Sequence, residues 1–315
     1  MSSERQVSVV RIGPIERHPN ADRLSITRIH GGYPVIIRSD EFREGDHAVY
    51  LPVDSVVPDE PRWAFLKDQR RIRARRLRGV FSMGLLARAE PGWTEGQSVG
   101  GLLGITHHEP IVEHPEEDET GPPQIPTYTD VEPLRRWPDV LRPDEEVVVT
   151  EKIHGTNGRF AWLDGRLWCG SRTRFKATGA SQWWRVARDL GLAERLAEHP
   201  GLVLYGEVYG RVQELRYGLG DGVRFAVFDA LDLSTGRYLD HDRLVERVDA
   251  LGLPRVPLLY RGPWRELPAG LAEGATTLGG EHVREGFVVR PVMERFDDRV
   301  GRVILKLHGE GYLTR

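Results

Sequence analysis

The sequence has one cysteine, four lysines and no long apolar run. A single thiol, Cys169, forbids an internal disulfide and cannot build a thiolate metal cluster. No apolar stretch approaches the ~20 residues of a membrane-spanning helix, and the N-terminal MSSERQVSVV lacks an apolar signal region. A cytoplasmic location without a membrane partner is therefore expected. The pattern G-x-x-x-x-G-K-[ST] occurs nowhere, which excludes a phosphate-binding-loop ATPase. Of 44 basic side chains only Lys67, Lys152, Lys176 and Lys306 are lysine; the other 40 are arginine. Arginine keeps its proton in proteins, whereas a lysine amine can lose it, so only lysine can act as a nitrogen nucleophile.

Against that scarcity, one stretch stands out. The β-branched run Val147 to Thr150 reads as a buried strand and delivers Glu151-Lys152-Ile153-His154-Gly155-Thr156-Asn157 to its end. A lysine at a strand end before a glycine invites a covalent role for Lys152; an ordinary exposed lysine is the plainer alternative.

At 315 residues the chain is long enough for two domains. A hydrophobic content of 39% and a charged content of 29% are ordinary for a soluble protein. The net charge of −3 argues weakly against a nucleic-acid partner, but the charge is segregated.

Residues 1–106 carry short strand patterns separated by turns, including His30-Gly31-Gly32-Tyr33 and Gly45-Asp46. Five short strands without an amphipathic helix predict a five-stranded β-barrel of the oligonucleotide-binding (OB) type. Between Arg62 and Arg78 there are eight basic residues and one acid, with Trp63 and Phe65 interleaved. A solvated strand face is the alternative, but Arg70, Arg71, Arg73, Arg75, Arg76 and Arg78 form the footprint of a surface that binds backbone phosphate. The words HPNADRL and RGVFSMGLLA resemble OB-fold modules attached to tRNA-handling proteins, which implies RNA more than DNA.

Residues 107–126 are acidic and Pro/Gly-rich and read as a linker, in which His107, His108 and His114 are poor candidates for metal ligands. Val131 to Leu141 suggests a short helix interrupted at Pro138. Within 127–315 the pattern is α+β: a hairpin through Asp164-Gly165, helical periods over Gln182 to His199 and 241–252, and strands at Leu202 to Tyr205, Arg224 to Leu231, Glu285 to Pro291 and Arg302 to Leu307.

Six islands then appear in order: Lys152-Ile-His-Gly-Thr-Asn157, Ser171-Arg172, Tyr205-Gly-Glu207-Val-Tyr-Gly210, Phe225-Ala-Val-Phe228-Asp229, Glu285-Gly-Phe-Val-Val-Arg290 and Ile304-Leu-Lys306. Together they resemble the covalent nucleotidyltransferases, the ATP-dependent polynucleotide ligases and mRNA capping enzymes. The wording EKIHGTN looks like the nick-sealing RNA ligases, and the barrel before the catalytic domain looks most like the Deinococcus-type RNA ligase. The phage-type enzymes carry two lysines in the last motif; here the earlier position is Ile304.

The resemblance implies an adenylyltransferase domain of antiparallel sheets and helices. It implies an ATP-dependent RNA ligase that forms lysyl-AMP on Lys152 and seals 3′-OH/5′-phosphate breaks in nicked RNA or RNA/DNA duplexes. By the same resemblance Lys306 stabilises the phosphate, Glu285 and Glu207 offer oxygen ligands to Mg²⁺ or Mn²⁺, Arg172 and Glu207 hold the ribose, Phe228 stacks on adenine in preference to Phe225, Asn157 contacts the ribose or RNA end, and the main chain around Glu151 reads the base. A capping-type guanylyltransferase and a non-catalytic RNA-binding protein with a vestigial fold are the alternatives.

Overall fold

The computed structural model describes residues 5–108 and 118–315. These fall into two compact units, one of residues 5–108 with 130–139 and 313–315, the other of 118–129 with 140–312.

The first unit opens with β1 (Ser8–Arg11), β2 (Ile15–Arg17), β3 (Leu24–Ile29), β4 (Tyr33–Arg38), β5 (His47–Leu51) and β6 (Ser55–Val56). A 3₁₀ turn over Pro61–Leu66 leads to β7 (Arg75–Leu77), β8 (Val80–Ser82), β9 (Leu85–Arg88) and β10 (Thr106–His107). Their ladders form two three-stranded sheets, β1-β5-β9 and β2-β3-β4, and the pairs β7–β8 and β6–β10. Among the described residues these sheets do not join into one closed ladder. Alternation sets the inside: Val10, Ile12, Val35, Ile37, Ala48, Tyr50 and Phe81 share one core, and Val9, Val49, Leu51, Val57 and Trp63 a second.

The expected linker is structured where it is described. His107 pairs with Ser55 in a ladder, the amide of His108 donates to the Asp54 carbonyl, and β11 (Asp118–Glu119) joins a sheet of the second unit. His114 lies outside the described residues. The short helix expected over Val131–Leu141 is instead β12 (Glu132–Pro133) followed by turns. Pro133 and Pro138 have no N–H to give a helix, and the residue before each is pushed from helical geometry.

The second unit holds two antiparallel sheets. One has seven strands in the order β11-β16-β15-β14-β17-β18-β19, with β14 (Thr156–Leu163), β15 (Arg166–Gly170), β16 (Phe175–Lys176), β17 (Leu202–Gly210), β18 (Val223–Asp232) and β19 (Arg237–Tyr238). The other carries β24 (Leu305–His308), β21 (Gly286–Pro291), β13 (Glu146–Lys152) and β20 (Leu258–Pro263) side by side, and β22 (Phe296–Asp297) pairs with β23 (Gly301–Arg302). Helix α1 (Gln182–Asp189) starts where Ser181 accepts from the Trp184 amide. The single helix expected to His199 is broken by Gly191 in the left-handed region (φ 58), and α2 (Leu192–Ala197) follows. These helices and α3 (His241–Ala250) bury Trp183, Val186, Leu192, Leu196, Leu244 and Val248 with Phe160, Leu204 and Phe225 of the large sheet. The opposite face of that sheet is left for the site. A four-residue helix α4 (Glu310–Leu313) ends the chain.

Candidate active site

Strand β13 belongs to one sheet and β14 to the other, and the turn Ile153-His154-Gly155 joins them. A Cβ on Gly155 would sit 2.2 Å from the Val208 carbonyl oxygen, so only glycine lets this turn lie against β17. Lys152 is therefore delivered to the junction of two sheets.

Two carboxylates meet it. Lys152 Nζ lies 2.8 Å from Glu285 Oε2, and Glu285 immediately precedes Gly286, which is paired with Lys152 in the ladder. Glu285 Oε1 is 3.5 Å from His308 Nε2 and 4.0 Å from His154 Nδ1. Burial by itself would raise the Glu285 carboxyl, but Lys152, His308 and His154 outweigh it and hold the group well below the usual carboxylate range. Glu207 behaves oppositely. Burial and the charge of Glu285 raise it to about 8, against the pull of Lys152 and of a hydrogen bond from the Gly155 amide. Two neighbouring acids thus hold their protons very differently around one amine, as sites that manage proton transfer do.

Asn157 stands directly opposite Glu207 in the β14–β17 ladder, and directly opposed residues share a face. Its Oδ1 is buried without a hydrogen-bond partner among the described residues, while its backbone oxygen accepts from Trp183 Nε1 at 2.9 Å. Phe228 reaches the same face through a β-bulge. Tyr205 pairs with Asp229 and Gly206 with Val227, so Phe228 is the extra residue of β18. Phe225 is 1% exposed and packs edge-on against Phe160 in the helix-side core, whereas Phe228 is half-buried beside Tyr128, ring centroids 4.9 Å apart.

The small sheet orders the remaining candidates. Lys306 opposes Val288, which opposes Thr150, two residues before Lys152, so the period of two puts both lysines on one face. Ile304 is 4% exposed and is a packing residue. Glu151 points the other way. Its buried carboxylate accepts from Thr276 Oγ1 at 2.5 Å, the Thr277 amide at 2.9 Å and Thr277 Oγ1 at 2.6 Å. The segment 253–282 thereby fastens the residue before Lys152. Arg172 stands apart, exposed in the turn after β15, its Nε donating to the Tyr128 carbonyl at 3.3 Å.

Asp229 is structural. Wholly buried, it accepts from Tyr128 Oη at 2.7 Å and pairs with Arg302 at 2.7 Å and Arg290 at 3.2 Å, both of which also pair with Glu294. Among the described residues no three His, Cys, Asp or Glu side chains gather into a metal cage. A hard cation that keeps most of its water and takes substrate phosphates needs only one or two carboxylates, and Glu207 and Glu285 fit that need.

Several site residues escaped the sequence reading. His308 follows Lys306 by two, so strand periodicity alone could have found it. Tyr312, whose Oη lies 2.9 Å from His154 Nδ1, Tyr217, whose oxygen accepts from the His154 amide at 2.6 Å, and the Thr276-Thr277 pair carry no local signal.

In the first unit Arg70, Arg73, Arg75, Arg76 and Arg78 are exposed, because Ile72 and Ala74 take the inward positions between them. Arg71 differs: its guanidinium pairs with Asp54 at 2.7 Å. The HPN turn holds this hairpin in place. Buried His18 places Nε2 3.1 Å from the Leu77 carbonyl, and Asn20 Nδ2 donates to the Arg78 carbonyl at 2.9 Å.

Comparison with known proteins agrees with this layout. A family model described as RNA ligase matches residues 145–308, and one described as an OB-fold domain matches residues 6–88. No curated protein matches the chain. Among solved structures, a mutant Naegleria gruberi RNA ligase with ATP and Mn superposes with a TM-score of 0.83 at 23% identity, covering 98% of each chain. A second mutant of that ligase with AMP and Mn gives 0.83, and the ligase with PPi gives 0.82, both at 23% identity over 98% of each chain. At this identity the likeness is one of fold.

Proposed function

This chain belongs to the RNA ligase family, and on that premise we propose that it is an ATP-dependent enzyme in which Lys152 accepts AMP before a 3′-hydroxyl is joined to a 5′-phosphate. The observation that carries the reading is Lys152 Nζ at 2.8 Å from Glu285, with Glu207 on the facing sheet. ATP and AMP bound to the Naegleria ligase support nucleotide use in the same fold.

Attack on the α-phosphorus needs the free amine, so Lys152 gives up a proton as the P–N bond forms and the bond to pyrophosphate breaks. Glu285, held ionised, orients the amine. Glu207, whose carboxyl titrates near neutrality, stands ready to exchange the proton and to hold the ribose with Arg172. Phe228 stacks on the base, Asn157 offers its buried oxygen to the sugar or the RNA end, and the main chain at Glu151 reads the base edge. Lys306 faces the charge that builds on the phosphate. Glu285 and Glu207 would hold Mg²⁺ or Mn²⁺, which would supply further neutralisation of the phosphates. AMP then passes to the 5′-phosphate, and the 3′-hydroxyl displaces it.

The sheets of the first unit are read as the walls of a five-stranded barrel whose exposed arginines grip a nicked RNA or RNA/DNA duplex. Residues 1–106 would be that binding domain and 127–315 the catalytic one, in a cytoplasmic enzyme. Incubation with α-labelled ATP and Mg²⁺ tests the reading: label is expected on the protein and absent from Lys152→Ala. Protein that takes no label, or takes it equally without Lys152, would falsify it.

A further inference from the structure

We propose that the cavity beside Arg159 is a second phosphate subsite, which takes a backbone phosphate of the RNA strand near the joined end. This rests on reading the chain as an RNA ligase. The cavity, of about 500 Å³, lies at the edge of the seven-stranded sheet between the 118–127 segment and the turn before β16.

Arg159 is 2% exposed. Its guanidinium lies 4.0 Å over the Phe175 ring and one nitrogen donates to the Ile125 carbonyl at 3.1 Å, but Nε has no hydrogen-bond partner among the described residues. No described carboxylate pairs with it. A buried cation without an anion is costly, and burial here draws the guanidinium pKa down. The acids on the cavity wall are already engaged. Asp118 pairs with Lys176 and with Arg174, and Glu119 with Arg166. Counting the cations that engage those acids, four positive groups (Arg159, Arg166, Arg174 and Lys176) stand against two negative ones, and Thr127 and Thr173 add hydroxyl donors to the wall. An oxyanion matches this set, and arginine's fixed fork suits phosphate.

The register says where such a phosphate would lie. Arg159 and Asn157 share one face of β14, two residues or about 7 Å apart, so the subsite adjoins the reaction centre on the surface that carries Glu207. A cavity of this size exceeds one ion and suits a sugar–phosphate unit. Its wall includes Thr173 and Arg174, in the same turn as Arg172.

Two variants test the proposal. Arg159→Lys keeps the charge and loses the fork; Thr173→Trp, at an exposed position on the rim, plugs the cavity without touching the core. Each is assayed for labelling by ATP, for sealing of chemically pre-adenylylated RNA, and for inhibition of sealing by inorganic phosphate and by pyrophosphate. The expected result is normal labelling with sealing at least tenfold slower, expressed mainly as a raised KM for RNA. Unchanged sealing in Thr173→Trp overturns the subsite even if Arg159→Lys fails to fold. A parallel loss of labelling, with weaker inhibition by pyrophosphate, overturns it in favour of the nucleotide's own tail. Wild-type protein that never labels overturns the ligase reading itself, a separate failure.

Discussion

The Tyr312 hydroxyl lies 2.9 Å from Nδ1 of His154, so helix α4 holds the turn that follows Lys152. Glu273 fixes that helix, accepting from the Glu310 and Gly311 amides at 2.6 and 3.1 Å. Tyr312→Phe keeps the ring and loses one hydrogen bond. Single-turnover labelling of Lys152 is expected to slow about fivefold, equivalent to about 1 kcal/mol, with melting unchanged. Labelling at the wild-type rate refutes a positioning role for the hydroxyl.

Glu285→Gln keeps the shape beside Lys152 and removes the charge. Loss of labelling by about 100-fold or more is expected, the scale set by removing a preorganised electrostatic partner. If the variant labels normally, the 2.8 Å ion pair only stabilises the fold.

Glu207 makes stability depend on pH in a defined direction. Its carboxyl rises from 4.5 when unfolded to about 8 when folded. The folded state therefore binds more protons between those values, and stability declines as pH climbs from about 4.5 to about 8, then levels. Glu207→Gln lacks the titration. Its melting temperature relative to wild type should rise across that window, by the equivalent of a few kcal/mol at most. A flat difference between pH 4.5 and 8 contradicts the burial of this acid.

Arg73→Ala/Arg75→Ala/Arg76→Ala should weaken sealing while Lys152 labels normally. The slope of log affinity against log salt is expected to fall by roughly 2 to 3, close to one per lost phosphate contact. Arg71 is left in place because its charge is spent on Asp54. An equal fall in labelling and sealing points to a damaged fold.

Asp229→Asn leaves Arg290 and Arg302 without their buried partner. Denaturant titration should show a loss of about 3–5 kcal/mol. A smaller loss means that Glu294 alone satisfies both guanidinium groups.

What the sequence disclosed follows the range of the interactions. Glu207, Glu285 and Phe228 come from the ordered motifs and the family these resemble, since Glu285 precedes its strand and Phe228 is the bulge residue that breaks the period. Lys152, in contrast, is read from the local pattern of the strand before it. The Asp164-Gly165 hairpin was legible for the same reason. Thr276 and Thr277 were not, because their meaning depends on Glu151, 125 and 126 residues away. Arg71 looked like its neighbours until folding brought Asp54 to it. The helix expected at Val131–Leu141, with its break at Pro138, did not form because Pro133 near its start also has no N–H and pushes Glu132 into extended geometry.

The extra residue at Phe228 shifts the phase of its strand. Ala226 and Phe228 face the site, yet so does Asp229, while Val227 and Ala230 return to the helices. One strand thus presents an aromatic ring and a carboxylate anchor in succession to the same side. Removing that residue would leave Tyr205 opposite Asp229 and Gly206 opposite Val227, so every side chain downstream would keep its face and the site alone would lose its ring. The bulge therefore adds one aromatic to this face without re-registering the ladder on either side of it.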